Sequence, residues 1–376
     1  LRVDGFIVTA PVGFNDYIVK SIGGNYFEIL NSTIAGSPNP AGYNKGYWDI
    51  DRSGVLVVAN HTKIHRCDIS NVKRGIELKQ IGYPNVNHVE EITNNYIHDC
   101  SNTGIFIFEQ ARVKIEYNHI YRQHPYKNPE NPQHGSGIGL ITAYATIRYN
   151  IVHSYGNSGG ITYFTKSPWD GVNTNAIIEN NLLYDSGGMS IAGIKSGCKV
   201  NNNTVIGHAD ANQTSMPGNE RRYVYGNIRF RFNGSYVGDL ECYNNLVLGL
   251  MVNNEGAKIN AGNNITWDYE FPSPWRYSNT SMPNSLIAHP NYNLLEHGMF
   301  VEDPIDFSWP ADKVNLKYSN QLFQDFHLAE GAPAINFGLA AKQTLKGLGT
   351  IGPDGFIRDD GIVRDSFHHS AGAYEF

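Results

Sequence analysis

Two groups of side chains have the types and spacing to do chemistry. The first is Glu77 and Lys79, with Glu109 and a segment carrying Arg122, His124, Tyr126, Lys127 and His134. The second is Lys166, Trp169 and Asp170 with Arg229 and Arg231. Taking the acidic C–H from beside a sugar carboxylate needs a cation to neutralise that carboxylate and a base of suitable pKa. The first group combines both, with Lys79 as the cation and His134 as an imidazole, and together with Glu77 and Glu109 it is the expected catalytic set. The two glutamates also offer a second chemistry. Hydrolysis of a glycosidic bond uses two carboxylates, about 5 Å apart for retention or roughly 6.5 to 9.5 Å apart for inversion. The plain alternative for each residue is a solvated surface charge, and an exposed Glu77–Lys79 pair is worth little.

Whether these residues meet depends on the elements that carry them. One phrase recurs along the chain, an apolar residue, two spacers, an Asn, a spacer and another apolar residue. It surrounds Asn95, Asn118, Asn150, Asn181, Asn203 and Asn245, and more weakly Asn264. Successive copies are 23, 32, 31, 22, 42 and 19 residues apart, so the unit is constant and the loops between units are not. A degenerate copy at 64–69 has Cys67 in the Asn slot. A second phrase, Gly followed by alternating apolar residues, occurs at 75–79, 104–108, 137–141, 160–164 and 188–192, with rougher copies at 227–231 and 249–253.

A minimal unit of 22 or 23 residues leaves no room for a helix beside these strands. Parallel coiling follows, with apolar residues inside and each coil bonded to the next at about 4.8 Å. The Asn is expected at a tight bend, bonding backbone groups and its counterparts above and below. It then carries fold and no chemistry, and Asn-x-Ser/Thr matches such as Asn202-Asn203-Thr204 follow from Asn richness alone. The expected fold class is all-β, a single-stranded parallel β-helix solenoid with an irregular C-terminal cap. Residues up to about Ser53 read as early, irregular turns. Clear copies stop after Thr266, and a cap is expected there because an open last coil presents an unpaired strand edge. The chain divides into coils with groove-forming loops at 1–265 and last coils, cap and extension of the same domain at 266–376.

If the apolar residues of the glycine phrase face in, the residues between them face out along one sheet. Those outward pairs run Leu56/Val58, Glu77/Lys79, Phe106/Phe108, Gly139/Ile141, Thr162/Phe164, Ser190/Ala192, Arg229/Arg231 and Met251/Asn253. Phe106, Phe108 and Phe164 between charged ends are not an ordinary solvated surface. They suit the floor of a groove on which sugar faces stack, unless the inserted loops fold over them as a second core. Long inserts at 121–136, 207–225, 80–88 and 166–173 would wall this face. They bring His124, Tyr126, Lys127, Lys166, Trp169 and Asp170 beside it. Basic and aromatic groups thus collect on one face of a chain whose net charge is −6, and the expected ligand is an anionic sugar polymer. Lys79 and Arg229 lie five coils apart, roughly 24 Å at the strand spacing, and cannot act on one sugar.

The net charge gives no general attraction to nucleic acid, and no apolar run reaches the ~20 residues that span a bilayer. High Gly (39) and Tyr (23) with 17% charged residues fit an extracellular all-β protein. No signal peptide is visible, so a secreted or cell-surface location, extracellular or periplasmic, is inferred, and a monomer is expected. Cys67, Cys100, Cys198 and Cys242 lack metal-ligand spacing and read as buried thiols, with disulfides left open. No cofactor or metal is required; calcium is compatible with the sequence, although Glu77, Glu109 and Asp170 are dispersed.

The segment 325–338, Asp-Phe-His-Leu-Ala-Glu-Gly-Ala-Pro-Ala-Ile-Asn-Phe-Gly, with Asp-Gly-Phe-Ile-Arg at 354–358 and Gly-Ala-Tyr-Glu at 372–375, resembles the terminal signature of secreted right-handed parallel β-helix proteins of the pectate-lyase-like superfamily. That resemblance implies a right-handed helix and carbohydrate chemistry. Alginate lyases and chondroitinase B, which are similar, place a catalytic Lys and Arg on this sheet face. Lys79 occupies the corresponding slot, but Phe108 stands where an Arg on the adjacent coil would be. The paired Asp and Gly-His-Gly of polygalacturonases and the Asp-Pro-His-Asp of mannuronan epimerases are absent. The expected activity is therefore cleavage of a uronate polysaccharide by β-elimination. The alternatives are a glycoside hydrolase using two carboxylates and a non-catalytic glycan-binding or phage-type surface protein.

Overall fold

The computed structural model describes residues 1–37, 53–79, 88–123, 135–155, 159–164, 175–192, 197–207, 228–231, 240–248, 251–253, 259–267, 286–288, 325–332 and 350–358, apart from residues 12, 15, 331, 352, 353 and 355. The described strands form two large sheets, of 17 and 11 strands, in which the strand pairs are parallel. A small antiparallel pair, Thr350–Ile351 with Ile357–Arg358, stands apart.

Each complete coil contributes three strand sections. In one coil these are Ile76–Lys79, Glu90–Thr93 and Tyr96–Cys100; in the next, the long strand Ile105–Glu116 supplies the first two and His119–Gln123 the third. Ile105 to Phe108 pair in register with Ile76 to Lys79, and Val113 to Glu116 pair with Glu90 to Thr93. Between those halves the register shifts after Phe108, a bulge that turns the strand from one face to the other. Alternation then buries one residue in two. Ile76, Leu78, Ile92, Ile97, Ile105, Ile107, Ile115 and Ile120 all have 0% exposure and stack in one continuous core.

The bend between the second and third sections has a fixed chemistry. Its first residue has left-handed backbone, as at Asn94 (φ 56°), Tyr117 (φ 55°), Tyr149 (φ 56°) and Asn180 (φ 54°), and the repeated Asn follows. Asn118 donates from Nδ2 to Asn150 Oδ1 at 3.0 Å, and Asn150 donates likewise to Asn181 at 3.0 Å. Each Oδ1 also accepts a backbone N–H from the coil before it, and each Nδ2 reaches a carbonyl, as Asn150 reaches Ile115 at 2.9 Å. Fully buried amides are tolerated because donors and acceptors are matched. Cys67 fills the slot one coil earlier, its N–H donating to Asn95 Oδ1 at 2.9 Å.

The glycine phrase has a steric origin. A Cβ on Gly75 would come within 2.5 Å of Gly104 O and 2.6 Å of Ile97 Cγ2. The strand begins where one coil's backbone stacks directly on the next, and only hydrogen fits.

Two expectations change. The described residues before Ser53 are regular: Arg2–Asp4, Ile7–Ala10 and Tyr17–Ile22 pair in register with Phe27–Leu30, Thr33–Gly36 and Ser53–Val58. At 249–253 the outward slot belongs to Val252, which pairs with Arg229, so Met251 and Asn253 align with the inward Ile228 and Phe230. The described parts of the C-terminal region lie along the flank of the 11-stranded sheet. Phe326 (0% exposed) packs on Tyr184 with ring centroids 4.8 Å apart, and Phe356 lies 6.2 Å from Tyr96, three coils away. The solenoid itself continues past 265, with Leu286–Ala288 added beside Ile265–Trp267.

All four cysteines are free and buried. Burial pushes the Cys67 thiol up to about 11 and Cys198 up to about 12, so they behave as small apolar residues.

Candidate functional site

The outward columns hold from Leu56 to Arg231 and fail at Met251 and Asn253. Leu56, Glu77, Phe106, Gly139, Thr162, Ser190 and Arg229 are joined by register, as are Lys79, Phe108, Ile141, Phe164, Ala192 and Arg231. Their exposure is uneven. Leu56, Glu77, Thr162 and Ala192 are buried, whereas Lys79, Phe106, Phe108, Ile141, Ser190 and Arg229 are half-buried. One half-buried stretch centres on Lys79 and the two Phe rings.

Glu77 is the hub of this stretch. Its side chain is 0% exposed although it sits on the outward face, because three neighbours close over it. Lys79 Nζ is 2.6 Å from Oε1, Arg74 donates to Oε2 at 2.8 Å, and the Tyr17 hydroxyl donates to Oε2 at 2.6 Å. Burial pushes the carboxyl up, but bonds from Lys79, Tyr17 and Arg74 outweigh it and hold it below the ordinary carboxylate value. Glu77 is thus a fixed anion, unsuited to donating a proton near neutral pH. That geometry weighs against its role as the acid of a two-carboxylate hydrolase and favours a positioning role.

Two cations around one carboxylate leave one net positive charge. Lys79 is 39% exposed and Arg74 29%, so that charge faces the surface. The Arg74 guanidinium also lies over the Phe106 ring at 5.0 Å, and Phe106 stacks on Phe108 with centroids 6.2 Å apart. A cationic pair beside a half-open aromatic floor can hold a carboxylate and a sugar face together.

Arg74 and Tyr17 are not among the residues expected from sequence. Arg74 comes from the turn leading into the same strand, three residues before Glu77, and that i, i+3 spacing is a signal in the sequence. Tyr17 arrives from two coils earlier and left none. Of the other expected residues, Glu109 falls at the register shift after Phe108, outside both columns, with its side chain outside the described set. Phe164 and Arg231 are described for backbone only. His124, Tyr126, Lys127, His134, Lys166, Trp169 and Asp170 lie outside the described residues. Among the described residues, no group of three or more His, Cys, Asp or Glu is placed to hold a metal, and no helix is long and apolar enough to cross a membrane.

Stacked parallel coils with an Asn ladder at one bend define a β-helix. The profile of the family described as "Right handed beta helix region" matches residues 17–211, more than half of the chain. The chain belongs to that family. No curated protein matches it.

Proposed function

We propose that this β-helix binds and cleaves an acidic, uronate-containing polysaccharide by β-elimination at the Lys79 cluster. The observation that carries the reading is the net positive charge of Arg74 and Lys79 around one buried carboxylate, set against Phe106 and Phe108. In this reaction the cations neutralise the uronate carboxylate and so acidify the neighbouring C–H. A base takes that proton, the adjacent C–O bond breaks with its electron pair leaving on the departing sugar oxygen, and a C=C bond remains. Glu77 positions both cations. The base is sought in the 124–134 segment, at His124 or His134. An acidic polysaccharide as ligand would fit a protein acting outside the cell as a monomer, with neither nucleic acid nor membrane as partner.

The reading is tested by incubating the protein with a panel of uronate polymers while following the ultraviolet absorbance of unsaturated ends together with reducing ends. Both signals rise for a lyase. Reducing ends alone favour a hydrolase, and binding with neither signal favours a glycan-binding surface protein, a role that the locked state of Glu77 also suits.

A further inference from the structure

We propose that the C-terminal segment is held against the second sheet by a pH-sensitive latch formed by His119 and His153. The two imidazoles sit on the outward face of the 11-stranded sheet, opposite the chemistry discussed above, yet His119 is 0% and His153 3% exposed. Their Nε2 atoms are 2.8 Å apart and their rings nearly parallel, at 17°. Only one hydrogen fits between two nitrogens at that distance, so one ring donates and the other accepts. A proton on both Nε2 atoms would oppose two N–H groups and two charges in a dry site, which burial forbids.

The pair is coupled to the C-terminal segment through rings. His153 stacks on Tyr184 at 4.4 Å, and Tyr184 carries Phe326 at 4.8 Å. On the other side His119 lies 5.0 Å from Tyr96, which carries Phe356 at 6.2 Å. Separating the imidazoles therefore disturbs both seats of the segment. The other titratable or charged groups on these strands are Tyr121, stacked at 4.7 Å on His153, Arg122, Tyr155 and Asp185, and His98, held by Asp68 and Asp99. On the segment they are Asp325, paired with His327, then Glu330, Asp354 and Arg358.

The opened form binds at least one proton more than the closed form. Below the ordinary imidazole pKa of about 6.5, the opened fraction grows roughly tenfold per pH unit. Hydrogen–deuterium exchange of the full chain, corrected for intrinsic rates, reads this directly. Protection of peptides within 325–332 and 350–358 should fall at least about tenfold between pH 7 and pH 5, while 76–79 and 105–108 stay protected. His153→Gln should remove that dependence. Unchanged protection in the natural protein overturns the latch, as does an equal pH dependence in His153→Gln, which would assign it to groups outside the imidazole pair. Should that variant not fold, exchange of the imidazole Cε1 hydrogens in the natural protein decides. The pair must take its second proton only as the segment loosens, and independent titration of both rings under a still-protected segment refutes the proposal.

Discussion

Lys79 and Glu77 share one ion pair, the proposed reaction gives them different roles, and their variants separate them. Lys79 is partly exposed, and Glu77 keeps Arg74 and Tyr17 without it, so Lys79→Ala should change stability by less than about 1 kcal/mol. Removing the charge that stabilises the developing anion should lower kcat/KM on a uronate polymer by about 100-fold or more. Thermal melts beside initial rates check both halves. Glu77→Gln removes an acceptor of charged hydrogen bonds, which should cost about 2 kcal/mol. Its pH dependence has a definite sign. The folded carboxyl lies below its ordinary value of about 4.3, so its contribution is present above that pH and is lost as pH falls through the folded value. Denaturant midpoints across acid pH should therefore fall less steeply in Glu77→Gln than in the natural protein.

At the scale of the element, the Asn ladder makes one residue structural for two coils. Asn150→Ala would leave the Asn118 N–H without its acceptor, take one of three acceptors from Asn118 Nδ2 and remove the amide that bonds the Ile115 carbonyl. An orphaned buried N–H with two further buried bonds lost should cost on the order of 3 kcal/mol, read as a drop in denaturant midpoint with unchanged slope. The third strand section carries its own pH signature. Burial pushes the His98 imidazole down, but Asp68 and Asp99 outweigh it and raise its pKa. Its contribution is full below about 6.5 and is lost as pH rises through the raised value. His98→Gln should flatten the decline of stability on the alkaline side of neutrality, opposite in sign to the His119–His153 latch; guanidinium titrations at several pH values distinguish the two. These elements were legible because strand alternation and coil stacking are periodic, so Asn95 or Gly75 announces its role by recurrence. Arg74 left a local spacing and Tyr17 none, because a side chain reaching across two coils obeys no period.

Across the whole molecule the same contrast holds. The parallel stack, its three sections per coil and the outward columns follow from repeats, whereas the C-terminal segment lies along the second sheet through single contacts, Phe326 on Tyr184 and Phe356 on Tyr96. A terminal signature read along the chain carries no information on such side contacts, because Tyr184 and Tyr96 lie far from it in sequence. The solenoid thus has one face with Lys79 and Arg74 beside aromatic rings and another on which Phe326 and Phe356 pack. The first bears the central claim, and the mass of the products tests it. Oligosaccharides released from a uronate polymer should be lighter by one water at their new non-reducing ends, and Lys79→Ala should release almost none. Fully hydrated products, or no products from any uronate polymer, would contradict elimination at this site.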